Sequence, residues 1–126
     1  MRILVVDDDT VMRNVFSVML QRASFEVDVA EDGLVGVEMW RNGSYDLVLM
    51  DVQMPRMNGF EATCAIREKE LASGGHTPIV AITAYALEKD EVECLAAGMD
   101  AYLPKPIDFK KCIEMVHALI LANGRD

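Results

Sequence analysis

The sequence predicts a doubly wound α/β sandwich, a five-stranded parallel sheet with five helices packed over its two faces. Three observations predict it. Continuous apolar runs at Ile3–Val6, Leu47–Met50 and Ile79–Ile82 have the pattern of strands buried on both faces of a parallel sheet. Phe25–Glu26–Val27–Asp28–Val29 alternates instead, as a half-exposed edge strand does. Helical stretches separate the strands, and parallel neighbours joined by right-handed crossovers give a doubly wound sheet.

The first strand, Ile3–Val6, runs straight into Asp7, Asp8 and Asp9. A helix over Thr10–Ala23 follows, carrying Val11, Val15, Val18 and Met19 along one side. Met12, Val15, Phe16, Met19 and Leu20 exceed what one core stripe needs, so this helix either buries a broad face or offers one for docking. After the edge strand, Gly33–Arg41 places Gly33, Val37 and Trp40 at helical spacing, with Trp40 on the packing side. Leu47–Met50 leads to a helix over Gly59–Leu71, weak in periodicity but rich in helix formers. Ile79–Ile82 leads to a helix over Leu87–Ala97 that ends at Gly98, an expected C-cap. The short strand Tyr102–Leu103 precedes a last helix, Phe109–Leu121, with Phe109, Cys112, Val116 and Ile120 inward and Asp108 as its N-cap. Placing the alternating strand at an edge gives the order 2-1-3-4-5, the flavodoxin-like three-layer sandwich.

At 126 residues and 52 % hydrophobic content, the chain is expected to form one domain over 1–126 with a sizeable core. No apolar run is long enough to cross a bilayer and no signal-peptide pattern opens the chain, so a cytoplasmic location is expected. The net charge of −9 speaks against direct nucleic-acid binding and favours cationic or metal-mediated partners. Cys64, Cys94 and Cys112 lack the spacing of a disulfide framework or a metal site and read as small buried hydrophobes. His76 and His117 read as ordinary surface histidines. Ser73–Gly75 reads as a flexible connection, since no GxxxxGK[ST] loop is present.

In such sheets ligands sit at the carboxyl ends of the strands, so what each strand carries there matters most. The first ends in Asp7, Asp8 and Asp9, the third in Asp51, the fourth in Thr83, and the fifth is followed by Lys105. "ILVVDDDTV" alone fits three readings: a phosphatase nucleophile at Asp7, half of a magnesium site, or the N-cap of the first helix. Carboxylates crowded together raise one another's pKa, and a hard divalent cation relieves that repulsion.

The chain resembles the receiver domain of two-component response regulators over essentially its whole length. The resemblance is carried by the acidic pair in "VVDDD", the acceptor in "MDVQMPRMNG", the "TA" of "ITAYA" and the "KP" of "YLPKPID". "MDVQMPRMNGFEAT" and "CLAAGMDAYLPKPI" are especially close to receivers attached to hybrid sensor histidine kinases. The resemblance implies that Asp51 accepts a phosphoryl group from a partner phosphohistidine or a small phosphodonor. Mg²⁺ would be held by Asp7, Asp8, Asp51 and the backbone carbonyl of Gln53. Thr83 and Lys105 would bind phosphoryl oxygens, and Lys105–Pro106 would be a cis peptide that aims the lysine. Thr83 and Tyr102 would switch the surface of the fourth helix, fifth strand and fifth helix, where an effector or a second copy docks. The Gln53 and Tyr85 side chains would modulate access of water to the acyl phosphate. Asp9 is left to capping the first helix. A sensor histidine kinase or a histidine phosphotransfer domain would dock beside that helix. No turnover enzyme is implied beyond self-phosphorylation and slow dephosphorylation.

The alternative, a haloacid-dehalogenase-type phosphatase with Asp7 as nucleophile and Asp9 as acid, needs a further acidic motif after its lysine. Only Asp108 lies near, and Asp51 and the "KP" pair stay unexplained. A flavin carrier on the same sheet would need a hydroxyl-rich phosphate loop where "DDDTVMR" stands, and its charge would repel the phosphate.

Overall fold

A computed structural model describes residues 1–84 and 88–123, with the backbone alone for residues 88–91. The elements alternate as β1 (Arg2–Val6), α1 (Thr10–Arg22), β2 (Glu26–Ala30), α2 (Gly33–Asn42), β3 (Leu47–Asp51), α3 (Gly59–Ser73), β4 (Ile79–Thr83), α4 (Glu88–Ala96), β5 (Ala101–Pro104) and α5 (Phe109–Ala122). All neighbours are parallel and the sheet order is β2-β1-β3-β4-β5. The flavodoxin-like architecture is thus the one expected.

The continuous apolar runs bury both faces of the central strands, as their patterning demands. Leu4, Val6, Val48, Met50, Ile79 and Ala81 pack beneath Val37, Ala62, Ile66 and Cys94 of the α2, α3 and α4 layer. Their alternate neighbours Ile3, Val5, Leu47, Leu49, Val80 and Ile82 pack against Phe16 and Leu20 of α1 and Cys112, Val116 and Ile120 of α5. The period of two along each strand assigns residues to these layers. Phe16 and Phe109 meet edge to face at 5.4 Å between ring centroids and join α1 to α5.

β3 and β4 each run one residue beyond their apolar runs, because ladder pairing does not require an apolar side chain. Asp51 pairs with Ile82, and Thr83 with Pro104. Both polar residues are therefore held by the sheet itself. Leu87, the expected first residue of the fourth helix, lies outside the described residues. Gly98 follows that helix at φ 100°, as a C-cap does. Asp108 caps α5, accepting from the Lys111 N–H at 3.2 Å.

Three expectations need correction. On α1 the residues buried are Phe16 and Leu20, while Val11 and Val18 are exposed. The helix carries two apolar stripes, and the one nearer Phe16 faces the sheet. Cys94 and Cys112 are buried, but Cys64 is exposed on α3. β2 alternates imperfectly, since Val29 is exposed where Ala30 is buried. The edge position leaves its outer residues without a neighbour to cover them.

α3 starts with a capping box: Asn58 Oδ1 accepts from Glu61 N–H and Glu61 Oε1 accepts from Asn58 N–H. Its first residue, Gly59, abuts the end of β3, where a β-carbon would collide with the Asp51 carbonyl oxygen. At the amino end of the strands, Arg67 donates to the Gly98 and Thr77 carbonyls (2.9 Å each), to Glu70 (2.6 Å) and to Asp100 (2.8 Å). Glu70 and Asp100 also accept the N–H groups of Thr77 and Ile79. His76 is exposed and its Nε2 lies 2.7 Å from Asp100, while exposed His117 tilts its ring against Phe25. The indole N–H of half-buried Trp40 donates to Thr77 Oγ1.

Candidate phosphoryl-acceptor and metal site

The carboxyl ends of β1, β3, β4 and β5 bring Asp7, Asp8, Asp51, Thr83 and Lys105 to one edge of the sheet. Carboxylate oxygens of Asp7, Asp8 and Asp51 all lie within 4.8 Å of one another. Asp7 is 1 % and Asp51 4 % exposed, whereas Asp8 faces solvent. Lys105 Nζ stands 3.6 Å from Asp51 Oδ2. Its main chain is fixed as well, since Lys105 N–H donates to the Thr83 carbonyl at 2.7 Å. The Lys105–Pro106 peptide is cis, as expected.

The backbone orients the two buried acids. Asp7 Oδ1 accepts from Asp9 N–H at 2.9 Å, and Asp51 Oδ1 accepts from Gln53 N–H at 3.3 Å. Asp9 caps α1, its side chain accepting from Val11 N–H. Burial, reinforced by the Asp7 charge, pushes the Asp51 carboxyl up to about 7, against the pull of Lys105 and the Gln53 N–H. Burial likewise raises Asp7, with the Asp9 N–H and Lys105 acting in the other direction.

One lysine does not balance three carboxylates. Asp7 Oδ2 is buried and has no hydrogen-bond partner among the described residues. A buried carboxylate oxygen normally has one. An orphaned oxygen on a member of a cluster of hard oxygen donors fits a small divalent cation such as Mg²⁺, which takes one or two carboxylates and keeps other positions for water and phosphate.

Asp8, Gln53, Asn58, Phe60, Thr83 and Glu93 help line an open cleft of about 560 Å³ beside the acids. Thr83 is buried at the end of β4, and Gln53 is exposed at the start of the β3–α3 loop. Tyr102 pairs across the ladder with Ala81 and packs half-buried against the α2–α3–α4 side of the core. Two residues beyond Ala81, Thr83 faces that same side, so the tyrosine and the hydroxyl are diagonal neighbours. Tyr85 lies outside the described residues.

Three residues that the sequence patterns do not single out also belong to this end of the molecule. Arg13 Nη1 donates to the Asp7 carbonyl at 2.8 Å and Nη2 to Thr10 Oγ1 at 3.1 Å, bracing the β1–α1 turn. Arg56 pairs with Asp32, the N-cap of α2. Arg13 lies six positions after Asp7, on the first turn of α1, which is the only signal that could have found it. The Arg56–Asp32 pair depends on loop shape and leaves no trace in the sequence.

Residues 3–117 match the family described as the response regulator receiver domain. Among curated relatives, hybrid signal transduction histidine kinase I of Dictyostelium discoideum is 38 % identical over 94 % of this chain, and histidine kinase 1 of Arabidopsis thaliana 49 % over 79 %. The chain spans 7 % and 8 % of those two proteins' own lengths. A crystallised receiver domain of a Pseudomonas aeruginosa sensor histidine kinase, with magnesium coordinated in its active-site cleft, is similar at TM-score 0.85 and 35 % identity, covering 94 % of this chain and 96 % of that one. A co-crystal of the Saccharomyces cerevisiae phosphotransfer protein Ypd1 with the receiver domain of Ssk1 is similar at TM-score 0.90 and 26 % identity, covering 96 % and 89 %.

Proposed function

The chain belongs to the response regulator receiver family of two-component signalling, and from that premise we propose that Asp51 is its phosphoryl acceptor. One observation carries the assignment: Asp51 is the buried carboxylate that sits both within the acid cluster and beside the ammonium of Lys105. Among the described carboxylates, that position brings an attacking oxygen and a charge-neutralising ammonium together on one side chain. A dehalogenase-type nucleophile at Asp7 is disfavoured, because among the described residues the acid cluster holds only Asp7, Asp8 and Asp51, with no acidic residue from beyond Lys105.

The proposed step is in-line attack by an Asp51 carboxylate oxygen on the phosphorus of a partner phosphohistidine. A P–O bond forms, the P–N bond breaks, and the imidazole leaves with the electron pair and takes up a proton. Asp7, Asp8, Asp51 and the Gln53 carbonyl would hold Mg²⁺, which when bound neutralises charge on the phosphoryl oxygens. Lys105 pairs with a phosphoryl oxygen and Thr83 donates its hydroxyl to another. The domain, taken as a single receiver over 1–126, signals rather than turning over a substrate pool. It catalyses its own phosphorylation and a slow dephosphorylation.

Drawn toward the phosphoryl group, Thr83 would vacate space on the face it shares with Tyr102. The tyrosine would then bias the α4–β5–α5 surface between two packed states for an effector or a second copy. The exposed stripe of α1 supports a docking role for that helix. Val15, Val18 and Met19 line an apolar recess of about 260 Å³ there. A histidine phosphotransfer domain or a sensor histidine kinase is the proposed partner, in a cytoplasmic setting.

Incubation with acetyl phosphate and Mg²⁺, followed by intact mass, tests the assignment. Wild type is expected to gain one phosphoryl group and Asp51→Asn none. Equal labelling of both would move the acceptor elsewhere.

A further inference from the structure

The loop from Val52 to Asn58 leaves the acceptor strand and carries Gln53 along the edge of the acid cluster. Its base is closed, since Gly59 N–H donates to the Val52 carbonyl at 2.9 Å. Its tip turns through Arg56, which adopts φ 67°. A side chain in that left-handed region carries an unfavourable steric energy that its surroundings must offset. From there the guanidinium reaches back to Asp32 and forms a hydrogen-bonded ion pair with Oδ2.

Asp32 is 2 % exposed and holds its other oxygen on α2, where Oδ1 accepts from Val35 N–H at 3.0 Å. The next residue, Gly33, lies under the Met57 carbonyl, and a β-carbon there would collide with it. Two consecutive loop residues, Arg56 and Met57, are therefore seated on the first turn of α2. The Asp32 side chain is 3 % exposed and that of Arg56 60 %, so water screens the pair on the arginine side, while opening it takes the cation from a buried carboxylate.

We propose that the Asp32–Arg56 pair is a positioning latch for the phosphoryl-transfer site. By pinning the loop tip to α2 it fixes the main chain at Gln53 relative to Asp51 and Asp8, and so sets the affinity of the acid cluster for a divalent cation. Groups that orient the shell around a metal commonly matter as much as this without touching the ion. The latch rests on the metal-site reading proposed above.

The sign of the effect separates the latch from simple electrostatics. Arg56 brings positive charge toward an acidic site, so deleting it should tighten Mg²⁺ binding if only the field matters. The latch requires the opposite. Calorimetric titration of Mg²⁺ into Arg56→Ala and Asp32→Asn is expected to show binding weakened roughly tenfold in both. Asparagine keeps the oxygen that caps α2, so the helix start is preserved. The double variant is expected to be no weaker than either single one, and Arg56→Lys to recover part of the loss. Unchanged or tighter binding in Arg56→Ala, or additive losses in the double variant, would overturn the latch.

Hydrogen exchange gives a readout that does not need the metal. Amides of residues 53–57 should exchange faster in both single variants than in wild type, and unchanged exchange would also overturn the proposal. A wild-type protein that binds no Mg²⁺ would defeat the metal-site reading instead, and the exchange rates would still judge the latch.

Discussion

At the amino end of the strands, Arg67 donates four hydrogen bonds and meets Glu70 and Asp100; Glu70 Oε2 takes up Thr77 N–H, Asp100 Oδ2 also accepts Ile79 N–H, and Asp100 Oδ1 meets His76. At the carboxyl end, Asp7, Asp8 and Asp51 cluster together, Lys105 Nζ stands 3.6 Å from Asp51, and one buried oxygen of Asp7 has no hydrogen-bond partner among the described residues. Both ends bury acid. The first arranges it so that donor and acceptor count match, and the second keeps it in excess. A cluster built for folding closes on itself, whereas a cluster built to receive a charged guest is left unfinished.

The largest expected effect breaks the closed cluster. Arg67→Ala strands Glu70 and Asp100 and is expected to lower stability by about 3–5 kcal/mol in urea denaturation. Mg²⁺ affinity, measured on the folded variant, should be unchanged, and a shift in it would mean that the two ends communicate.

Removing charge from the open cluster should do the reverse. The Asp51 carboxyl sits at about 7 in the fold against 3.8 for an ordinary aspartate. Between those values the native state binds more protons than the unfolded one, so stability of the metal-free protein falls as pH rises from about 4 to 7. Asp51→Asn is expected to flatten that slope and to raise stability at pH 8 by ~1–2 kcal/mol, a Tm gain of roughly 4–8 °C. Mg²⁺ should raise the Tm of wild type more than that of the variant. A variant less stable than wild type at pH 8 would dissolve the contrast between the ends.

Asn58 sharpens the comparison because it lies near the open end yet belongs to a satisfied capping box. Asn58→Ala is expected to cost about 1 kcal/mol by thermal denaturation, the sign of the closed cluster rather than of its neighbours. Satisfaction, not location, then sets the sign. Cys64→Ser gives the baseline: its exposed thiol should tolerate the change within about 0.5 kcal/mol.

The layout of the sheet was legible because strands buried on both faces must be apolar throughout, and few other structures demand that. Asp51, Thr83 and Lys105 were legible because each stands where a strand stops. The inner face of α1 was not, since Val11, Val15, Val18 and Met19 compete with Phe16 and Leu20 for the same helical period. Cys64 was misread for a related reason: thiols are buried more often than not, and only α3's orientation decides. Arg13 and the Asp32–Arg56 pair were hidden because their partners are a main-chain carbonyl and a residue far along the chain.

The sheet also separates two hydrophobic interiors, one under α1 and α5 and the other under α2, α3 and α4. Each helical layer therefore has its own foundation, and the exterior of α1 can be rewritten without disturbing the opposite floor. On the docking role proposed for α1, exchanging its outward valines and methionine between two such proteins would redirect which upstream protein each one hears, with the acid cluster left intact.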